Sequence, residues 1–232
     1  MLTPGDDPRT PAKYHRNVEL RGVITDWGGV MTNPIAETVN AWLEADGIDR
    51  DSYVAVMREW VSQAYGDQES ESPIHALERG ESSHADFEQA LATELRLISG
   101  EPVPGDGLLT RMWAGSRRDQ GMLNLFRRLK AAGVPTALLS NSWGADYGYP
   151  RELFPEMFDA VVISAEVGMR KPEARIFLHT AGLLGLEPAE CIFVDDIQQN
   201  IAAAEDLGFT GILHLDRDST TQRISELLGV GL

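Results

Sequence analysis

The sequence has one cysteine, three lysines and no long apolar segment. The single cysteine, Cys191, excludes an internal disulfide and is typical of a reducing compartment, so we predict an inert buried thiol and a cytoplasmic protein. No apolar run approaches the roughly 18 residues of a membrane-spanning helix, which argues against a membrane partner. The first residues are polar and contain proline, and this pattern argues against a secretory signal.

Positive charge is also scarce, because 36 acidic residues face 20 basic ones and leave a net charge of −16. Such a charge argues against nucleic acid and anionic membranes as partners. Residues 34–116 contain 16 Asp and Glu but only 5 Arg and no Lys. This segment is either a solubilising surface or one that disfavours polyanionic substrates. The hydrophobic content of 43% is ordinary for a globular protein.

Short apolar runs alternate with helical patterns over most of the chain. The strands are predicted at 20–26, 134–140, 159–163, 191–195 and 210–214. Helices are predicted at 118–132, 172–185, 197–207 and 218–228. This alternation is typical of an α/β fold, in which a Rossmann-like parallel sheet carries helices on both faces.

Residues 34–116 lack strand character. Their apolar residues repeat at helical spacing, as in Phe87, Leu91 and Leu95, which follow a capping pattern at Ser83 and Asp86. We therefore predict a helical cap subdomain inserted after the first strand. The predicted units are an N-terminal arm at 1–19, a core domain at 20–33 and 117–232, and the cap at 34–116. A short polar loop is expected at 68–72.

Carboxylates stand at the ends of two predicted strands. Asp26 ends an apolar run and is followed by Trp27, Gly28 and Gly29, so it lies where α/β sheets place their chemistry. A strand-end carboxylate can act as a nucleophile on phosphorus. Asp195 and Asp196 end another apolar strand, and adjacent carboxylates repel unless a cation offsets them. Hard oxygen ligands of this kind suit Mg²⁺.

Groups that suit phosphate binding occur in two further segments. Ser140 and Asn141 end a strand, and their side chains can donate hydrogen bonds to phosphoryl oxygens. Lys171 precedes Pro172, which we expect at the first position of a helix, so its ammonium would lie beside a helix N-terminus that favours an anion. The neighbouring Arg170 could share this task but is expected to point to solvent.

These four segments, in this order, resemble the haloacid dehalogenase-like superfamily. Ser-Asn-Ser-Trp, Val-Gly-Met-Arg-Lys-Pro-Glu and Phe-Val-Asp-Asp-Ile are most similar to the N-terminal phosphatase domain of soluble epoxide hydrolases and to bacterial sugar-phosphate phosphatases. The resemblance implies that Asp26 is the nucleophile and that the phosphoryl group is held by Ser140, Asn141 and Lys171. It implies a Mg²⁺ site made of Asp26, Asp195, Asp196 and the Gly28 carbonyl, with Asp196 in direct contact and Asp195 acting partly through water. The implied substrate is a small phosphorylated metabolite. The oligomeric state stays open between a monomer and a homodimer, since apolar cap helices leave a dimer possible.

The chain departs from this family at position 28. Family phosphatases commonly place there a second aspartate that protonates the leaving group, whereas Gly28 has no proton to give. Losing such a group typically lowers the rate by about 10²–10⁴. Three interpretations remain open: an activated substrate, a replacement acid or water (Glu37, His75 or His84 being candidate side chains), or a weakened phosphate-binding or regulatory protein.

Two kinds of family member lack this aspartate, and their activities are less well supported for this chain. Phosphonate-cleaving members need a cap lysine, and residues 34–116 contain none. Haloacid dehalogenases attack carbon and need no metal, whereas the pair Asp195 and Asp196 argues for Mg²⁺ and phosphorus.

Overall fold

The computed structural model describes residues 19–65, 72–144 and 148–231. Five strands form one parallel sheet in the order β3-β2-β1-β4-β5. The strands are β1 (Gly22–Thr25), β2 (Thr136–Ser140), β3 (Ala160–Ile163), β4 (Cys191–Asp195) and β5 (Thr210–Leu213). The predicted α/β fold is confirmed. Every predicted strand is present, and none is more than three residues shorter than predicted.

Six α-helices follow β1 in the sheet-forming part of the described chain. They are α6 (Gln120–Ala131), α7 (Phe154–Met157), α8 (Ser164–Val167), α9 (Ala174–Leu183), α10 (Gln198–Asp206) and α11 (Arg217–Leu228). Successive side chains of a strand point to opposite faces of the sheet, so both faces need a cover. Val23 packs in a cluster with residues of α6 and α11, whereas Ile24 packs in a second cluster with residues of α9 and α10. Helices therefore cover both faces, as predicted.

Cys191 lies at the start of β4 and is fully buried in the second cluster. Burial raises the pKa of its thiol to about 12, with a smaller contribution from Glu190. A thiol that stays protonated is a poor nucleophile, so Cys191 is the inert core residue that the sequence predicted.

Between β1 and α6 lies a group of helices that we call the helical insertion. It consists of α1 (Ile35–Ala45), α2 (Arg50–Tyr65), α3 (Pro73–Glu78), α4 (His84–Ser99) and α5 (Leu108–Met112). Its helices share a hydrophobic cluster that is separate from the two clusters of the sheet. Ser83 begins α4 by accepting a hydrogen bond from the Asp86 amide at 3.1 Å, and Phe87, Leu91 and Leu95 are buried below it as predicted.

Some sequence predictions lie outside the described residues. These are the N-terminal arm up to residue 18 and residues 68–71 of the predicted polar loop. Within the described part of the chain, no helix is both long and apolar enough to cross a membrane.

The predicted start of the helix after Lys171 is wrong. Helix α9 begins at Ala174, and Pro172 lies before its N-cap residue, Glu173. The Glu173 amide donates to the Arg170 carbonyl at 2.9 Å, which closes a turn over this stretch. This turn keeps Lys171 outside the helix, so a helix N-terminus does not explain its position.

Two leucines of α4 test which face of the insertion is structural. Leu91 is fully buried, whereas Leu97 is 69% exposed. We expect Leu91→Ala to lower the free energy of unfolding by about 2–5 kcal/mol, because it leaves a cavity. The matched change Leu97→Ala should stay within about 0.5 kcal/mol of wild type. Chemical denaturation measures both values, and equal losses would contradict the packing described for α4.

Candidate active site

Three neighbouring strands bring polar residues to one edge of the sheet. In the parallel register Thr25 of β1 lies beside Leu138 of β2 and Val194 of β4. Because the carboxyl ends of these strands meet at the same edge, the next residues lie close together. Asp26 follows β1, and its amide donates to the Val194 carbonyl at 2.9 Å. Ser140 and Asp195 end β2 and β4 at the same edge.

Lys171 lies between two of these carboxylates. Its Nζ is 2.9 Å from Asp26 Oδ1 and 2.6 Å from Asp195 Oδ2, and its side chain is only 1% exposed. The side-chain amide of Asn141 holds the lysine backbone through two hydrogen bonds. The Lys171 amide donates to Asn141 Oδ1 at 2.8 Å, and Asn141 Nδ2 donates to the Lys171 carbonyl at 3.0 Å. A side chain at the end of one strand therefore positions the ammonium.

Asp26, Asp195 and Asp196 form a compact acidic group. Each offers one oxygen, and these three atoms lie within 4.8 Å of one another. Asp195 Oδ1 is satisfied, because it accepts from the Ile197 amide at 2.8 Å and from Asn200 Nδ2 at 3.0 Å. Asp196 Oδ1 is buried and has no hydrogen-bond partner among the described residues. A buried carboxylate oxygen without a donor fits a cation at this position.

Gly29 allows the backbone to approach this acidic group. Its φ is +75°, and a Cβ built on it would lie 2.1 Å from Asp196 Oδ2. Any larger residue would therefore collide with that carboxylate in a backbone conformation that side chains disfavour. The Gly29 amide also donates to Thr32 Oγ1 at 3.0 Å, which holds the turn after Asp26.

One ammonium faces three carboxylates at this site, so negative charge is in excess. Burial, together with the charges of Asp195 and Asp196, raises the pKa of Asp26 to about 7, against the lowering effect of Lys171. Burial and Asp195 raise the pKa of Asp196 to about 6. Although burial disfavours its charged form, Asp195 and Asp26 raise the pKa of Lys171 above its ordinary value. A group of hard oxygens with this excess charge suits a divalent cation such as Mg²⁺.

Ser140 and Asn141 lie beside this group and line the same cavity as Asp26 and Lys171. Ser140 Oγ is 2.9 Å from Tyr149 Oη, so one of these hydroxyls donates a hydrogen bond to the other. The Tyr149 ring in turn packs edge-on against Trp27, with centroids 6.0 Å apart. Sequence reasoning did not identify Tyr149, because it stands in an irregular segment without a recognisable motif.

The cavity, which we call the inner cavity, has a volume of about 220 Å³. The sheet edge contributes the residues named above together with Gly28, and the helical insertion contributes Ile35, Thr38 and Glu78. A larger space of about 730 Å³, the outer cavity, adjoins it. The two cavities share an aromatic wall made of Trp27, Trp113, Trp143 and Tyr149. A ligand at Asp26 would therefore extend along aromatic rings.

The three acid candidates from the sequence lie away from the inner cavity. Glu37 is exposed and pairs with Arg117 at 3.5 Å. His75 is buried, and burial with the charges of Arg170 and Arg79 lowers its pKa to about 4. His84 lines only the outer cavity.

Glu78 is a second residue of the inner cavity that sequence reasoning missed. It lines the inner cavity from the insertion, and no local pattern in the sequence distinguishes it from the other acids of residues 34–116.

Two known proteins resemble this chain, one over about half of its length and one over most of it. A sesquiterpene phosphatase of Aspergillus oryzae is 35% identical over 115 residues, which are 49% of this chain and 59% of that protein. Bifunctional epoxide hydrolase 2 of Sus scrofa is 25% identical over 226 residues, which are 92% of this chain and 40% of that protein. The chain thus spans less than two thirds of the length of either relative.

Solved structures show the same fold. A haloacid dehalogenase-family enzyme of Bacteroides thetaiotaomicron, in complex with magnesium and inorganic phosphate, superposes with a TM-score of 0.54 at 22% identity, covering 83% of this chain and 93% of that one. The family model of the haloacid dehalogenase-like hydrolases matches residues 20–208. The chain therefore belongs to the haloacid dehalogenase-like hydrolases, and the resemblance that its four motifs indicated is confirmed.

Proposed function

We propose that this hydrolase is a Mg²⁺-dependent phosphatase of small phosphorylated metabolites and that Asp26 carries the phosphoryl group as an aspartyl phosphate. One observation carries the proposal. The Asp26 carboxylate, the Lys171 ammonium and two further carboxylates meet at the end of a cavity that also contains hydroxyl and amide groups. The sesquiterpene phosphatase among its relatives supports phosphate ester chemistry.

The residues divide the chemistry between them. The Asp26 carboxylate attacks phosphorus, and the bond from phosphorus to the leaving oxygen breaks. Lys171 orients that carboxylate through their 2.9 Å ion pair and offsets charge on the transferred group. Ser140 supplies a hydroxyl beside it, and Asn141, whose side-chain amide bonds the Lys171 backbone and Glu78, holds the lysine at the phosphoryl group. Water then cleaves the aspartyl phosphate and regenerates Asp26.

The acidic group would hold the metal. Asp26, Asp195, Asp196 and the Gly28 carbonyl are the expected ligands, and the buried, unpartnered Asp196 Oδ1 supports direct contact with the ion. Asp195 is already occupied by Lys171 and Asn200, which supports an indirect role through water. When bound, Mg²⁺ would neutralise charge on the phosphoryl oxygens. The magnesium and phosphate complex of the Bacteroides enzyme supports this assignment.

The helical insertion would act as the cap. It supplies Ile35, Thr38 and Glu78 to the inner cavity, so movement of the insertion would open and close the site. In this proposal residues 34–116 form the cap domain, and residues 20–33 with 117–232 form the core domain.

A second function is favoured by Gly28. Without an acid at this position, a protein can retain the metal and phosphate site yet turn substrates over slowly, and serve as a phosphate-binding or regulatory protein. Dehalogenation is less well supported, because the acidic group would then have no use.

Substitution of the nucleophile separates these functions. We expect Asp26→Asn to reduce phosphate release from a panel of sugar and acyl phosphates to the rate of buffer alone, because the amide cannot form the intermediate. A fluoride–metal complex that mimics a phosphoryl group should bind the wild type at this site and fail to bind Asp26→Asn. Equal phosphate release by both proteins, at any rate, would contradict the phosphatase. Binding of the mimic without release of phosphate would instead support the binding protein.

Metal binding should depend on pH with a definite sign. Asp26 and Asp196 have pKa values near 7 and 6 in the folded protein, against an ordinary 3.8. The folded protein thus keeps protons that the unfolded chain releases, so without metal these two groups make the unfolding free energy fall between about pH 4 and pH 7. Mg²⁺ binds the ionised form, and its stabilising effect should grow over the same range.

Thermal denaturation at pH 5 and pH 8, with and without Mg²⁺, measures this coupling. We expect a larger rise in melting temperature at pH 8 than at pH 5. The Asp196→Asn protein should lose part of the metal-free pH dependence and most of the Mg²⁺ effect. A rise of the same size at both pH values would contradict metal binding by this group.

A further inference from the structure

The proposed phosphatase lacks a group to protonate the leaving oxygen at position 28. Among the described residues that line the inner cavity, the carboxylic acids are Asp26 and Glu78. Asp26 is the proposed nucleophile, so Glu78 is the remaining carboxyl at the site. It arrives from the helical insertion, at the C-terminal end of α3.

Contacts with the sheet-forming part of the chain hold Glu78 in place. Its Oε2 is 2.5 Å from Arg170 Nε, and both side chains are buried. The prediction that Arg170 points to solvent is therefore wrong, because the insertion covers it with a partner of opposite charge. The other oxygen, Oε1, accepts from Asn141 Nδ2 at a longer 3.3 Å. Asn141 also bonds the backbone of Lys171, whose ammonium pairs with Asp26. A single residue, Asn141, therefore connects Glu78 to the lysine of the site.

A second ion pair joins the same end of α3 to the same loop. Arg79 Nη2 is 2.5 Å from Glu173 Oε1, and neither residue lines the inner cavity. If Glu78 served only to attach the insertion, its substitution should affect the enzyme in the same way as substitution of Arg79. The two pairs therefore allow attachment to be tested separately from chemistry.

We propose that Glu78 is the catalytic acid and base that replaces the family aspartate missing at position 28. This assignment rests on the proposed function. In the first step Asp26 forms a bond to phosphorus, the bond to the leaving oxygen breaks, and that oxygen takes the proton of the Glu78 carboxyl. In the second step the Glu78 carboxylate takes a proton from water, whose oxygen attacks phosphorus. The bond to Asp26 then breaks, and both side chains return to their starting forms.

The surroundings of Glu78 support proton exchange. Burial raises the pKa of this carboxyl above its ordinary value, whereas the Arg170 and Lys171 charges lower it. Arg79 is its neighbour in the chain, and His75 on the same helix stays neutral because its pKa is lowered to about 4. A phosphate dianion in the cavity would add negative charge and favour the protonated form of Glu78.

The test compares two esters that differ in their leaving groups. Phenyl phosphate releases a phenol with a pKa of about 10, which needs protonation, whereas p-nitrophenyl phosphate releases a much weaker base. We expect Glu78→Gln to lower kcat/KM for phenyl phosphate by about 10²–10⁴. The kcat/KM for p-nitrophenyl phosphate should change little, because that constant reports only the first step. Its kcat should fall, with a burst of nitrophenol and accumulation of phosphoenzyme, because water has lost its base.

Two further variants distinguish a loss of chemistry in Glu78→Gln from a loss of folding. Arg79→Gln breaks the neighbouring ion pair and should leave the ratio between the two substrates unchanged. Gly28→Asp in the Glu78→Gln protein should restore much of the phenyl phosphate activity, since an acid returns at the family position. A Cβ at position 28 would lie 3.1 Å from Ile35 Cδ1, a flexible side-chain end that can shift. Gly28→Asp alone should raise turnover little, because Glu78 already supplies the proton.

The outcomes separate this assignment from the proposed function. Equal losses of kcat/KM for both esters in Glu78→Gln, or no loss for either, would overturn the role of Glu78 and leave the phosphatase intact. A large gain from Gly28→Asp in the wild-type background would overturn it too, because the proton donor would then have been missing. Wild-type release no faster than that of Asp26→Asn would overturn both.

Discussion

The ammonium of Lys171, buried between Asp26 and Asp195, is the interaction on which the site depends. Three carboxylates stand within 4.8 Å of one another at the end of the sheet, and burial makes their mutual repulsion strong. The Lys171 ammonium offsets part of this repulsion. The remaining excess of negative charge suits a divalent cation. The lysine keeps its place because the Asn141 amide exchanges two hydrogen bonds with its backbone. The same geometry that makes the group costly to bury supports the proposed binding of a phosphoryl group and a metal ion.

The sheet and the helical insertion contribute different properties to this centre. The parallel strands bring charge together, because their carboxyl ends share one edge. The insertion contributes shape, because Ile35, Thr38 and Glu78 line the inner cavity opposite the residues of the sheet-forming part. Glu78 joins the two parts: its carboxylate pairs with Arg170 and contacts Asn141. The turn after Asp26 has a glycine at the position where family phosphatases commonly have an acid, and a carboxyl from the insertion lines the same cavity.

Most of the sheet was predictable from the sequence, because strands buried on both faces appear as continuous apolar runs. The strand-end residues Asp26, Ser140 and Asp195 were predictable for the same reason, since a polar residue ends each run. The start of α9 was not, because a turn closed by Arg170 and Glu173 overrides the usual helix-starting effect of Pro172. Arg170 was misassigned to solvent because the helix that covers it is remote in sequence.

The sequence by itself therefore determined the order of the elements, the family motifs and the absence of an acid at position 28. Tertiary structure alone decided which side chains from elsewhere complete the site. Glu78 meets Asn141 and Arg170, which are 63 and 92 residues away along the chain. No local pattern encodes such a meeting, because hydrophobic periodicity reports only which face of an element is buried. The packing of the insertion on the sheet decides which of its acids faces the cavity.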